Sequence, residues 1–399
     1  MRARDLMRAG KPKEDAFPTG RSAIVGAATF GMGTTPGFNN FDLAAHASIK
    51  ALAQVGLTPK DVDGLAVVVM DETLSVLNFA EYLGIQPRFV DNTRTGGSSF
   101  QLHAATAALA LEAGQCDVVL IAYGSDQRSA AGKLISSSRS SPWEAPYRPL
   151  RPISSYALAA ARHMHQYGTT KRQLGEVAIA ARKWARLNPD ATMRDELTME
   201  DYLAARLVAD PFGVRDCCLV TDGAAAVVMV RAEFARELNP RAAYLLGAAH
   251  ETTHREIAQM PDLTVTGTAA AARRAFLQAK VAAQELDVVE LYDAFTINTI
   301  LFLEDMGFCP RGEGGRFVAD GAIAPGGSLP VNTNGGSLSC VHPGMYGLFT
   351  MVEAAQQIMG VCGERQVAGA ELALSHGNGG ELSSEAVLIL GSAATAARH

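Results

Sequence analysis

The hydrophobic pattern alternates short apolar runs with amphipathic stretches. Ala23-Ile24-Val25-Gly26-Ala27 reads as a strand, and FDLAAHASIKALAQV (41–55) reads as an amphipathic helix. Gly64-Leu65-Ala66-Val67-Val68-Val69 is a second strand, and an alanine-rich helix is predicted over 98–113. Asp117-Val118-Val119-Leu120-Ile121-Ala122-Tyr123 is a third strand, apolar nearly throughout, as expected for one covered on both faces. Strands alternating with helices in this way predict an α/β chain with a largely parallel sheet.

The second part of the chain repeats the order of the first. Ala243-Tyr244-Leu245-Leu246-Gly247-Ala248-Ala249 resembles the opening strand, and a helix follows over 268–284. LTPKDVDGLAVV (57–68) is echoed by AAQELDVVELYDAF (282–295), and DNTRTGGSSFQLHAA (91–105) by VNTNGGSLSCVHPGM (331–345). CDVVLIAYGSD (116–126) is echoed by GAELALSHGNGG (369–380). Echoes in one order imply internal duplication. Residues 20–125 with 213–240 form the first half, and 241–395 the second. Between them, 126–212 reads as an inserted loop or lid: polar and turn-rich at first (SSSRSSPWEAPYRP), then helical (RPISSYALAAARHMHQYG, LGEVAIAARKWARL). Asp222-Gly223-Ala224-Ala225-Ala226-Val227-Val228-Met229-Val230 resumes the first half as a buried strand.

Charge and cysteine usage narrow the function classes. A net charge of −6 over 399 residues offers nothing to nucleic acid or to an anionic membrane. No apolar run reaches transmembrane length, and 1–22 lack the apolar centre of a secretory signal. The last four residues, Ala396 to His399, are not a peroxisomal address. Cys116, Cys217, Cys218, Cys309, Cys340 and Cys362 are scattered, without metal spacing or a disulfide framework. A cytoplasmic protein without a structural metal is expected.

VTDGAAAVVMV (220–230), NTNGGSLSCVHPG (332–344) and SHGNGG (375–380), in that order on duplicated halves, resemble the thiolase superfamily, and within it the sterol-carrier-protein-x or lipid-transfer type. The resemblance covers about 20–395. It implies a five-layered αβαβα fold, an acyl-CoA substrate with coenzyme A as its only cofactor-like part, and a homodimer. The departures bear on the chemistry. A thiolase carries its nucleophilic cysteine at the start of the first-half helix, where the helix dipole favours a thiolate. Here Arg94 falls at that place in Asp91-Asn92-Thr93-Arg94-Thr95-Gly96-Gly97. The His-Asp-Cys-Phe motif of the related type reads Tyr292-Asp293-Ala294-Phe295, and His376, read as just beyond a strand on a glycine-rich turn, falls near the second-half cysteine. Cys340 is the one cysteine inside a site motif, and it reads as a packing residue.

What remains is imidazole, phenol and glycine. His342, Tyr292, Tyr346 and His376 are the candidate catalytic residues; Gly335, Gly336, Gly379 and Gly380 are candidates for substrate and oxyanion binding. Asp293 is expected to hold the Tyr292 turn by hydrogen bonds, and His103, His163, His165, His250 and His254 to be surface or core histidines. Claisen chemistry needs a covalent acyl carrier; retro-aldol cleavage does not. There a base removes a β-hydroxyl proton, the C–C bond breaks, and donors hold the resulting enolate. A phenol suits that transfer if its surroundings lower its pKa from about 10. The cysteine loss resembles steroid side-chain aldolases, which cleave a β-hydroxyacyl-CoA beside a small OB-fold/zinc-ribbon partner. The alternatives are a thiolase using another cysteine such as Cys340, and a non-catalytic acyl-CoA-binding scaffold. The insert is expected to lie over the acyl pocket over 126–155, with Trp143, Tyr147 and Tyr156 lining it or meeting the partner.

Overall fold

The computed structural model describes residues 13–70, 72–132 and 142–398. Part of the predicted insert, 133–141, and most of 1–22 lie outside them. The first half contributes β1 (Ser22–Gly33), β2 (Gly64–Val67), β3 (Phe89–Asp91), β4 (Val118–Ser125) and β7 (Asp222–Arg231). The second contributes β8 (Ala243–Thr252), β9 (Val288–Glu290), β10 (Leu372–Gly379) and β11 (Ser384–Gly391). Hydrogen bonding runs β3-β2-β4-β7-β1-β8-β11-β10-β9. Within the sheet the halves meet where β1 pairs with β8, through Ala23 opposite Tyr244 and Ile24 opposite Ala243. Beyond β9, an isolated parallel bridge from Val289 to Val331 stands where β3 stands in the first half.

Duplication is visible in single side chains. Gly26 and Gly247 occupy matching places in β1 and β8. A Cβ on either would sit 2.3 Å from a helix carbonyl oxygen, that of Ala51 or of Ala275, so only glycine lets the outer helices Asn40–Ala53 and Thr268–Ala279 lie so close. The Gln54 carboxamide accepts from the Ala27 N–H, and the Gln278 carboxamide from the Ala248 N–H. Asp63 accepts from the amides of 117–118, and Asp287 from those of 371–372.

Two helices, Ser99–Glu112 and Gly347–Met359, pack against strands of both halves and form the central layer. With the outer helices on either side the order is αβαβα. The apolar run of β4 is buried because helices cover both its faces. Helices Ile153–Tyr167 and Lys171–Arg186 are the longest described elements of the insert, which ends in a short β5 (Leu207–Ala209) and β6 (Phe212–Gly213) ladder that the hydrophobic pattern did not signal. Thr170 and Gln173 form a capping box that starts the second of these helices. Its buried Arg182 donates to Ser339 Oγ at 3.0 Å, and Trp184 donates to the Ile323 carbonyl, so the insert is fastened to the second half.

Candidate functional site

A cleft of about 420 Å³ opens where the start of helix Ser99–Glu112 meets the end of β10. The turns Gly96-Gly97 and Gly379-Gly380 press together there; a Cβ on Gly96 would sit 3.0 Å from Gly379 Cα. Tyr292, His342, Tyr156, Cys218, His254, Arg94 and Asn378 complete much of the wall. The Tyr292 ring lies against Gly97, where a Cβ would fall 2.0 Å from Cε2. The glycine pair of the first half thus makes room for the phenol of the second.

Tyr292 and His342 form the polar centre. The Tyr292 hydroxyl is 3.2 Å from His342 Nε2, and the Tyr346 backbone N–H donates to the same hydroxyl oxygen at 3.2 Å. Burial pushes the Tyr292 phenol well above its ordinary value and lowers the His342 imidazole to about 4. Both are neutral at pH 7, and the His342 tautomer with its proton on Nδ1 lets Nε2 accept from the phenol. The expected lowering of the tyrosine pKa is therefore reversed, because the site desolvates the phenol. His342 is fixed through its backbone. Its N–H donates to Thr221 Oγ1 at 3.0 Å, its carbonyl accepts from Gln127 Nε2 at 2.8 Å, and Tyr123 donates to the next carbonyl, that of Pro343. Thr221 comes from the VTDG phrase that closes the first half.

The other nominated residues fall into two groups. Gly379 and Gly380 line the cleft. Tyr346 stands one layer behind: fully buried, it turns its hydroxyl to Asn334 Oδ1 at 2.9 Å and sets its ring edge-on to Tyr292. Asn334 Oδ1 also accepts from the Gly336 N–H. Gly335 and Gly336 do not reach the cleft. They let the chain pass Ala185 and Asp293, since a Cβ on Gly336 would overlap Asp293 Oδ2 at 2.0 Å. Asp293 holds its turn as expected, accepting from the Ser337 N–H, and burial raises its carboxyl to about 6. His376 lies within β10 rather than on the turn beyond it. Strand alternation gives it the face shared with Asn378, and Phe302 covers it at a ring distance of 4.2 Å. Its Nε2 faces Thr268 Oγ1 and Glu385, away from the cleft, and burial lowers it to about 3.

The insert contributes Pro152 and Tyr156 to the cleft, but Trp143 and Tyr147 are 85% and 86% exposed and do not line it. Tyr147 instead borders a separate cavity of about 730 Å³ between helix Ile153–Tyr167 and the 257–263 segment. Arg151, buried, pairs with Glu144, Glu256 and Glu381, and so ties the insert to the Gly380-Glu381 turn. His254, expected at the surface or in the core, lines the cleft and meets the Glu381 carbonyl at 3.1 Å. Cys218 and Asn378 were also unforeseen. Asn378 carried a signal in its place inside a glycine-rich turn; Cys218 carried none.

Cys340 is fully buried outside the cleft, against Asn188. Cys218 is the sole cysteine among the described lining residues, and burial pushes its thiol well above the ordinary value, away from the thiolate. Among the described residues no cluster suits a metal ion and no helix is long and apolar enough to cross a membrane.

The family model "Thiolase C-terminal domain-like" matches residues 249–392. The acetyl-CoA acetyltransferase of Methanothermobacter thermautotrophicus is 32% identical over 92% of this chain and 98% of its own. The 17-hydroxy-3-oxo-4-pregnene-20-carboxyl-CoA lyase of Mycobacterium tuberculosis is 32% identical over 86% of this chain and 92% of its own. The chain belongs to the thiolase family. Among thiolase-fold structures, the Ltp2-ChsH2(DUF35) aldolase superposes with a TM-score of 0.85 at 30% identity, covering 94% of this chain and 98% of that one. Arg94, which the sequence resemblance sets at the place of a thiolase nucleophile, lines the cleft, and its guanidinium donates to the Met70 carbonyl.

Proposed function

We propose that this protein is a carbon–carbon lyase. It cleaves a β-hydroxyacyl-CoA with a steroid or other bulky side chain, by retro-aldol reaction, to a ketone or aldehyde and a shortened acyl-CoA. One observation carries the reading: the cleft centres on a Tyr292 hydroxyl 3.2 Å from a His342 ring nitrogen that burial keeps neutral, while Cys218, the one cysteine among the described lining residues, is held away from the thiolate. The similarity to a carboxyl-CoA lyase and to a solved aldolase supports it.

The geometry suggests a proton relay. The substrate's β-hydroxyl donates to the Tyr292 oxygen as Tyr292 passes its own proton to His342 Nε2. The Cα–Cβ bond breaks; one fragment leaves as the carbonyl product, and the bonding pair enters the enolate of the thioester. Gly379 and Gly380, with the first turn of helix Ser99–Glu112, hold the enolate oxygen. The proton on His342 returns through Tyr292 to Cα, so proton and electron pair balance without oxidant or metal. Tyr346 is a positioning residue, setting Tyr292 through its N–H and ring. Neither His376 nor Gly335-Gly336 has a chemical step in this scheme.

We further propose a homodimer, located in the cytoplasm, working with a ChsH2-like DUF35 partner that carries an OB-fold and zinc ribbon; the similarity to the Ltp2-ChsH2 assembly supports the partner. The test uses a β-hydroxyacyl-CoA whose β-carbon is tertiary. Such an alcohol has no hydrogen for oxidation to a β-ketone, so a thiolase route is closed. Stoichiometric ketone and shortened acyl-CoA, with the partner present, is the expected result. No cleavage with any partner would leave a non-catalytic acyl-CoA-binding protein.

A further inference from the structure

The cleft wall holds a buried, unpartnered polar atom that the relay does not use. Asn378, 2% exposed at the end of β10, gives its Nδ2 to the Tyr156 hydroxyl oxygen at 2.8 Å. The Tyr156 hydroxyl in turn donates to the Gly380 carbonyl at 3.2 Å. That second bond fixes the sense of the first: a hydroxyl has one proton, and with it on the carbonyl the oxygen must accept. The carboxamide is therefore locked with its NH₂ toward Tyr156. Its Oδ1 is left buried without a hydrogen-bond partner in the chain.

Such an acceptor is costly unless something donates to it. Its position limits the donor. The Asn378 backbone and the Tyr292 ring crowd the same point beside Gly97, at 2.6 and 2.0 Å from where a Cβ would be. A ligand reaching Tyr292 with its acyl group passes Asn378. The β-hydroxyl has only one proton, and the relay sends it to Tyr292. The thioester itself has no donor. The nearest donor that every acyl-CoA brings is the cysteamine amide N–H of its pantetheine arm, two methylenes from the sulfur.

We propose that Asn378 Oδ1 is a specificity-determining acceptor for the pantetheine amide N–H nearest the thioester, with Tyr156 as the positioning residue that holds it in that orientation. The inference rests on the acyl-CoA reading above and extends it. It assigns the inserted region a role in substrate recognition, because Tyr156 belongs to helix Ile153–Tyr167.

The test compares two pantetheine thioesters of one β-hydroxyacyl group, the natural amide and a copy with that amide replaced by an ester. The ester keeps the shape and lacks the N–H. Binding is measured by calorimetry on the intact protein with its partner. Wild type is expected to bind the amide at least tenfold more tightly, one hydrogen bond's worth at a tenfold per 1.4 kcal/mol. Asn378→Leu, close in volume, should bind both alike. Tyr156→Phe keeps the ring stacked on Phe295 at 4.4 Å but frees the carboxamide to turn, and it too should lose the preference. Should Asn378→Leu not fold, Tyr156→Phe decides. Equal binding of the two thioesters by wild type overturns the proposal, and so does a preference that survives in the folded variants. A preference that instead follows a further hydroxyl on the acyl chain also overturns it. Because binding is read rather than turnover, a wild type that prefers the amide yet cleaves nothing sinks the lyase reading alone.

Discussion

Replacing Tyr292 by Phe tests the relay at its centre. The ring stays against Gly97, so packing is kept, and only the hydroxyl is lost. Two 3.2 Å contacts go with it, leaving the Tyr346 N–H and His342 Nε2 unpaired in a buried site. Stranding such groups costs about 1–3 kcal/mol of stability. A fold this large tolerates that loss, and a modest fall in thermal midpoint is expected. The effect on rate should be larger. A positioned proton-transfer group contributes about 10²–10⁴-fold, or roughly 3–5 kcal/mol of barrier at 1.36 kcal/mol per decade. Midpoint and single-turnover cleavage of a β-hydroxyacyl-CoA should be measured together, with the partner present. A folded Tyr292→Phe protein that cleaves within a few-fold of wild type would refute the relay, and the hydroxyl would then be a structural hydrogen bond.

Tyr346→Phe removes a hydroxyl that faces Asn334 rather than substrate; by loosening the placement of Tyr292 it should cost about 10–10²-fold in turnover, less than Tyr292→Phe, without changing which substrates are cleaved. Cys340→Ala and Cys218→Ala should both stay within a few-fold of wild-type cleavage, whereas a loss of about 10³-fold or more in either folded variant would point to a nucleophile. Since burial holds His342 neutral down to about pH 4, kcat/KM should stay level from pH 8 to about 5 and fall only near 4, not at the 6.5 of an ordinary imidazole. Stability has the matching sign. With His342 at about 4 and His376 at about 3 in the folded protein, the unfolded chain binds more protons below about 6.5, so stability falls as pH drops through that window. Moving His342 alone from 6.5 to about 4 corresponds to about 3 kcal/mol, and His376→Gln should flatten the acid limb of a midpoint-against-pH curve.

The layered fold was legible because both periodicity and duplication are local signals. Gly26 and Gly247, or Asp63 and Asp287, sit in matching phrases that a reader of the chain can align. Tyr292 and His342 were legible as candidates through the motifs around them, whereas their approach to 3.2 Å across 50 residues is set by tertiary packing. Three features were not. His376 looked like a turn residue, but the β10–β11 ladder runs three pairs past it, to Gly379 opposite Ser384, and Phe302 covers it. Gly335 and Gly336 looked like a ligand cradle, yet their missing side chains make room for Ala185 and Asp293. The direction of the Tyr292 pKa depends on its burial, which a linear sequence does not carry.

The central claim is carbon–carbon cleavage without an acyl-enzyme, and intact-protein mass during turnover tests it most directly. The protein, with its partner, is mixed with a β-hydroxyacyl-CoA and quenched in acid at times before and after one turnover. The account predicts an unchanged protein mass at every time while carbonyl product and shortened acyl-CoA appear together. A transient gain of one acyl group, mapped to Cys218 or any other cysteine, would contradict it.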